Sequence, residues 1–281
     1  MVNTVTVKQG QMQRGFAQFG NGSTHIMLIG SCRSVPYINY LLELNKLRGE
    51  MFTIYALDPF NWNWDANDRR VDCEEAINRQ EKNDELLYVL KKSKIFIHEY
   101  YRNFGMFNTF KDGEKNIYQF GMKPETDICL PNFHDIFLLF EDIIRFTPEL
   151  KAKAIQDYQS IGGLGSETIK AVMDIHEANL KRFYGVCERT SFPIFAEYFK
   201  LHHLTKRMYW TYNHVGNEFT QPLFNAICEK LGIELTPSEQ RKVESLPDIF
   251  ANNYTRLTRY DVNHFGYKWN ESLKQLKPLE L

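Results

Sequence analysis

The sequence predicts an α/β fold, a mainly parallel, doubly wound sheet with helices around it. Short apolar runs bounded by turn residues recur at 26–29, 51–57, 94–99 and 127–130. Stretches of helical period separate the first three, over 34–44 and 72–92. Strands alternating with helices favour parallel pairing, because the crossover helix carries the chain back to start the next strand on the same side. The 281 residues suffice for a large core. They read as a leader over 1–25, which packs loosely or adds an edge strand, and one α/β domain over 26–281 with a helical elaboration at about 135–205.

The first run, IMLI at 26–29, ends at Gly30. Ser31 reads as an N-cap, and Val35, Ile38, Leu41 and Leu42 follow at helical spacing, with Pro36 in the first turn, where a missing N–H costs nothing. Strand, glycine turn and helix together put Cys32 at the mouth of a helix. Unpaired N–H groups and the helix dipole there favour an anion, whether a thiolate, a phosphate or an oxyanion. A structural cysteine in an ordinary βα turn is the alternative.

The second strand, 51–57, stops at Asp58-Pro59, and the loop at 60–67 carries Trp62 and Trp64. Residues 72–92 read as a polar helix with Leu86, Leu87 and Leu90 on one face. The third strand ends in His98-Glu99, at the edge where open α/β sheets bind ligands, and an aromatic loop follows. The fourth, 127–130, runs into Pro131-Asn132-Phe133-His134. An apolar stretch at 135–146 opens the helical region. Thr147 and Pro148 then mark a helix start, and helices are expected over 166–184 and 191–201. Gly162-Gly163-Leu164-Gly165 lacks the lysine and spacing of a phosphate-binding loop and reads as a hinge or turn. A late strand at 207–211, a loop at 212–216 and a helix at 220–230 closed by Gly232 complete the pattern. The C-terminal region shows no clear period.

A net charge of -1 supplies no field that draws the chain to nucleic acid or acidic membranes. Aromatic residues reach 14%, which implies an aromatic-lined cleft or a bulky core. Five widely spaced cysteines, without CxxC or Cys/His zinc spacing, indicate neither a disulfide framework nor a structural zinc site. The first 25 residues lack an apolar signal region and no run approaches a membrane span, which points to the cytosol.

Cys32 and His214 are the leading candidates for chemistry, each placed after a strand and before a helix. A thiol nucleophile needs a base within hydrogen-bond reach, and the base needs a group to orient its ring. Thr211, Asn213 and Glu218 are the candidates for that role. His98-Glu99 with His134 form a second cluster, of residue types able to hold a metal but without a diagnostic spacing.

Gly30-Ser31-Cys32 after the first strand, with Thr211-Tyr212-Asn213-His214 after a late one, resembles the polysaccharide biosynthesis enzymes of the WcbI type. Members of that family carry a GNC or GSC turn near the start and a T-x-N-H-P segment near the end. The resemblance covers roughly residues 25 to 235, and Val215 stands in place of the family's proline. That family looks like a distant branch of the SGNH (GDSL-type) hydrolases, which implies a three-layer, flavodoxin-like sandwich. By that likeness Cys32 takes the place of the nucleophilic serine and His214 that of the base, oriented by Asn213 or Thr211. Thr211 stands where the hydrolases carry their aspartate. The family's association with coenzyme A and surface glycans implies a CoA-dependent acyl transfer, such as acetyl transfer, onto a sugar of surface or capsular polysaccharide. Gly30, Ser31, Arg33 and Ser34 would then hold phosphates of coenzyme A or acyl-CoA, with Lys206, Arg207 and Arg102 as further cations. An SGNH-like glycan esterase or deacylase, and a non-catalytic CoA or nucleotide binder, are the other two readings. The partner implied is a small-molecule or glycan substrate.

Overall fold

The computed structural model describes residues 16–57, 92–100, 125–133, 136–252, 255–269 and 276–281. Its α/β architecture has a five-stranded, mostly parallel sheet in the order β1-β3-β2-β4-β5. The strands are β1 (Phe16–Phe19), β2 (Thr24–Ile29), β3 (Phe52–Leu57), β4 (Ile95–Glu99) and β5 (Thr126–Leu130), with helix α1 (Val35–Arg48) between β2 and β3. Strand β1, inside the stretch read as a leader, lies antiparallel on β3 at the sheet edge, and the other neighbours pair in parallel. Then come α2 (Phe140–Arg145), α3 (Pro148–Ile161), α4 (Ser166–Glu188), α5 (Phe195–His202), the hairpin strands β6 (Tyr209–Thr211) and β7 (His214–Val215), α6 (Asn217–Lys230) and α7 (Pro237–Glu244). The expected loop at 60–67, all but Tyr100 of the expected aromatic loop at 100–110, nearly all of the expected helix at 72–92, and His134 lie outside the described residues. Among the described residues no helix is long and apolar enough to cross a membrane.

Packing divides the chain into two compact units. The first is Met1–Asn132, Thr190–Phe192 and Thr220–Ile249; the second is Phe133–Arg189, Pro193–Phe219 and Phe250–Leu281. In the first unit, all four residues at 26–29 are fully buried, as expected for a central strand covered on both faces, where apolar residues run on without alternation. Helix α1 is buried on most of its circumference. Its Tyr40 hydroxyl pairs with Thr220 Oγ1 at 2.8 Å, and its ring packs 5.1 Å from that of Phe224. Gly49 ends α1 in the left-handed region, φ 76°, where glycine has no Cβ penalty. Asn45 then locks the turn into β3: its Oδ1 accepts from Phe52 N and its Nδ2 donates to Phe52 O, both at 2.7 Å. Arg48 forms a two-pronged pair with Glu239 of α7, at 2.6 and 2.7 Å.

Among the described residues, aromatic rings cluster in the core of the second unit. Phe133 packs with Phe183, Phe219 and Phe199 at ring separations of 4.1, 5.1 and 5.5 Å. Gly162 closes α3 in the left-handed region, and Asp157 accepts bonds from Gly165 N and Thr168 Oγ1, so the glycine segment is a pinned helix–helix turn. Helix α2 starts at Leu139, which has no capping oxygen. Asp261 supplies one from 121 residues further on, accepting from Phe140 N at 2.7 Å while also accepting from Thr258 N and Oγ1.

Two buried titratable groups of this unit act in opposite senses. His176 stacks on Phe265 at 3.7 Å, and burial, then the nearby His203, pushes its pKa from 6.5 down to about 4. Burial, then the neighbouring Glu141 and Asp261, pushes Asp142 from 3.8 up to about 7. Between pH 4 and 6.5 the unfolded chain binds the His176 proton and the folded chain does not, so this contribution is present above pH 6.5 and lost on acidification. Asp142 binds its proton in the folded state first, so its contribution is present below pH 3.8 and lost as pH rises through 7. Each slope is at most about 1.4 kcal/mol per pH unit. Relative to wild type, His176→Phe should therefore gain stability as pH falls from 6.5 to 4.5, and Asp142→Asn should gain as pH rises over the same interval. Urea unfolding of the three proteins at both pH values measures this; parallel profiles would refute it.

Candidate active site

The strand order reverses between β2 and β4: the chain leaves β2 to form β3 on one side and later forms β4 on the other. In an open α/β sheet the carboxyl ends at such a reversal border the ligand crevice. Here they carry the Gly30–Ser34 turn and His98-Glu99, with Ile29 and His98 paired in register.

The turn is built from its own hydroxyls. Ser31 caps a three-residue 3₁₀ turn, Cys32–Ser34, that leads into α1; its Oγ accepts from Arg33 N, and Ser34 Oγ donates to Ser31 O at 2.7 Å. Glu99 enters from β4 with only 2% of its surface exposed. Its Oε1 accepts from Ser31 N at 3.2 Å, while Oε2 accepts from Ser31 Oγ at 3.5 Å and from Arg33 Nε at 3.1 Å. Gly30 is required by this approach, since a Cβ there would sit 2.6 Å from Glu99 Oε1 and 2.8 Å from Ser34 Cβ.

Within 31–38, Cys32 alone is not buried. The other described cysteines, Cys129, Cys187 and Cys228, are buried, and burial pushes the thiols of Cys187 and Cys228 up to about 12. The groups expected to hold phosphate are engaged differently. Ser31 N and Arg33 Nε both bond to Glu99, so the anion favoured by this turn is the chain's own carboxylate. A phosphate in that place would face a buried negative charge. Gly30, Ser31, Arg33 and Ser34 therefore do not fit a phosphate cradle for coenzyme A.

His98 and Glu99 do not converge on one site. Consecutive residues of a strand face opposite sides of a sheet, and His98 turns to Asp127, with Nε2 3.1 Å from Oδ1. Cys129, its register partner on β5, also hydrogen-bonds the ring. Burial opposes the imidazolium, but Asp127 and Cys129 outweigh it and raise the His98 pKa to about 10. Among the described residues no group of three or more His, Cys, Asp and Glu side chains is arranged to hold a metal ion.

His214 belongs to the second unit, as Cys32 belongs to the first. It begins β7, where a loop is expected from the sequence, and its ring stacks on Phe250 at 4.2 Å. Thr211 Oγ1 lies 2.9 Å from His214 Nδ1 and donates to Asn213 Oδ1 at 2.8 Å. A hydroxyl has one hydrogen, so the bond to His214 is made by Nδ1–H, and the neutral ring carries its lone pair on Nε2. Glu218, the third candidate for orienting the ring, pairs instead with Lys206 at 3.2 Å. Arg207 lies over the rings of Trp210 and Trp269, at 4.8 and 4.9 Å. Arg102 lies outside the described residues.

No protein-family model, curated protein or solved structure matches the chain. The candidate site therefore stands on its geometry. Breaking a buried ion pair from one side leaves an uncompensated charge and costs about 3–5 kcal/mol. Glu99→Gln should lose stability of that order, and Gly30→Ala about 1–3 kcal/mol through overpacking. Denaturant titration reads both. Wild-type midpoints in both variants would show that the Glu99 contacts do not hold this turn.

Proposed function

We propose that this chain is a thiol-dependent acyltransferase acting on a sugar of surface or capsular polysaccharide, with Cys32 as the nucleophile. One observation carries the reading: Cys32 is the single residue left accessible in an otherwise buried, clamped turn at the strand reversal of the sheet. The strand order, with the first parallel strand between the second and third, is in keeping with a flavodoxin-like sandwich. The resemblance of the GSC turn and the TYNH segment to the WcbI-type enzymes adds the substrate class.

In this reading the Cys32 thiolate attacks the carbonyl of a thioester or activated ester, the leaving group departs, and an acyl-cysteine forms. A sugar hydroxyl then attacks the acyl carbon and regenerates the thiolate. A general base takes the thiol proton, hands it to the leaving group and then takes that of the hydroxyl; His214 is the candidate the sequence names for that role. A histidine held by a hydroxyl rather than a carboxylate suits a thiol, whose ordinary pKa of roughly 8.5 is far closer to that of imidazole than an alcohol's. Coenzyme A is the acyl carrier the resemblance implies. Its phosphates do not fit the Gly30–Ser34 turn, and no step here depends on them.

Incubation with acetyl-CoA or an activated acetyl ester should give an acetylated protein, with the label mapping to Cys32 by peptide mass spectrometry. Cys32→Ala should abolish labelling, and His214→Ala should slow it by at least about 10²-fold. Undiminished labelling of Cys32→Ala would remove the thiol mechanism. Release of free acid that does not increase when sugar acceptors are present would make the protein a deacylase instead.

A further inference from the structure

The C-terminal segment, which has no clear period in the sequence, borders a cavity of about 810 Å³ in the second unit, facing Tyr158 of α3. That volume falls within the roughly 300–1,000 Å³ of small-molecule sites. One wall comes from a single wide turn, a π-helix at Asp261–Phe265, held by the three bonds that the buried Asp261 carboxylate accepts. Such turns interrupt regular helix at a cost in hydrogen-bond geometry and recur at functional sites.

Arg259 and Asn263 lie one helical turn apart on this wall, with His264 beside them. Among the described residues, neither Arg259 nor Asn263 has a side-chain hydrogen bond or ion pair. Among the described residues the lining includes no carboxylate. Its second cation, Lys277, is held by both oxygens of Glu141, at 2.9 and 2.7 Å, with Glu280 at 3.7 Å. Among the described lining residues, the charge left for a ligand is that of Arg259. Rings and aliphatic groups supply the rest: Tyr158 and Tyr260, with Leu276 and Leu279. The Tyr260 hydroxyl accepts from Leu164 N at 3.2 Å, and its ring stacks 4.9 Å from Phe140, so this wall is fixed in place.

We propose that this pocket binds a small organic anion with a flat, hydrogen-bonding ring, of the nucleoside monophosphate class. The Arg259 guanidinium takes the phosphate, the Asn263 amide reads the ring edge through paired donor and acceptor, and the tyrosines and leucines cover the ring faces. The site is separate from Cys32 and does not rest on the acyl-transfer reading.

Calorimetry on the full chain with AMP, adenosine and inorganic phosphate tests the inference. AMP should bind below millimolar concentration, more tightly than either fragment, and its affinity should fall with salt. Arg259→Gln should weaken AMP about tenfold or more, and Asn263→Ala should weaken AMP and adenosine alike. Both residues are exposed, so both variants should keep the wild-type circular dichroism and midpoint. Cys32→Ala should bind AMP normally, which separates this site from the acyl-transfer chemistry. No heat at millimolar AMP, unchanged affinity in Arg259→Gln, or phosphate binding as tight as AMP would each overturn the proposal.

Discussion

The carboxylate of Glu99 is the contact on which the candidate site depends. A buried carboxylate is tolerated only when its charge and lone pairs are met. Here a guanidinium, a backbone N–H and a hydroxyl meet them, all within three residues of one another. The same contact joins the end of β4 to the start of the segment after β2, two strands that already pair in register. The turn is consequently stiff on its inner side, and Cys32 is the residue it leaves outward.

This arrangement also accounts for the difference between the expected and observed roles of Arg33. A cation beside a helix start reads from sequence as a phosphate ligand, because the residue 66 positions away that neutralises it is invisible at that range. Lys206 and Arg207 follow the same logic, one spent on Glu218 and the other laid against tryptophan rings. Basic residues near a predicted site are informative about ligands only after their intramolecular partners are known.

The elements whose signals are local were legible. The apolar run at 26–29, the Pro148 helix start behind Thr147 and the glycine stop at 162 all occur where their residues place them. What depends on pairing was not. Nothing local shows that His98 pairs with Asp127 and Glu99 with Arg33, or that β7 turns an expected loop into a hairpin and lets α6 begin at Asn217. Helix α7 is a different case. Thr236, Pro237 and Glu239 spell a capping box that the structure forms in full, a readable signal in a stretch that looks aperiodic only because the helix is short and polar. At the candidate site, the proximity of Thr211, Asn213 and His214 follows from their spacing, whereas the closure of Glu99 over Ser31 required the sheet.

The cap on α2 has a consequence for how the protein is made. Phe140 and the helix it starts leave the ribosome 121 residues before Asp261, the residue whose oxygen that first N–H needs. Until then the opening turn of α2 has only water to bond, and the apolar residues behind it have no finished helix to pack on. The second unit is thus committed late in synthesis. During that interval the apolar residues of α2, Phe140, Ile143 and Ile144, sit on a helix without its cap, and nascent apolar surface of this kind is prone to association with other chains.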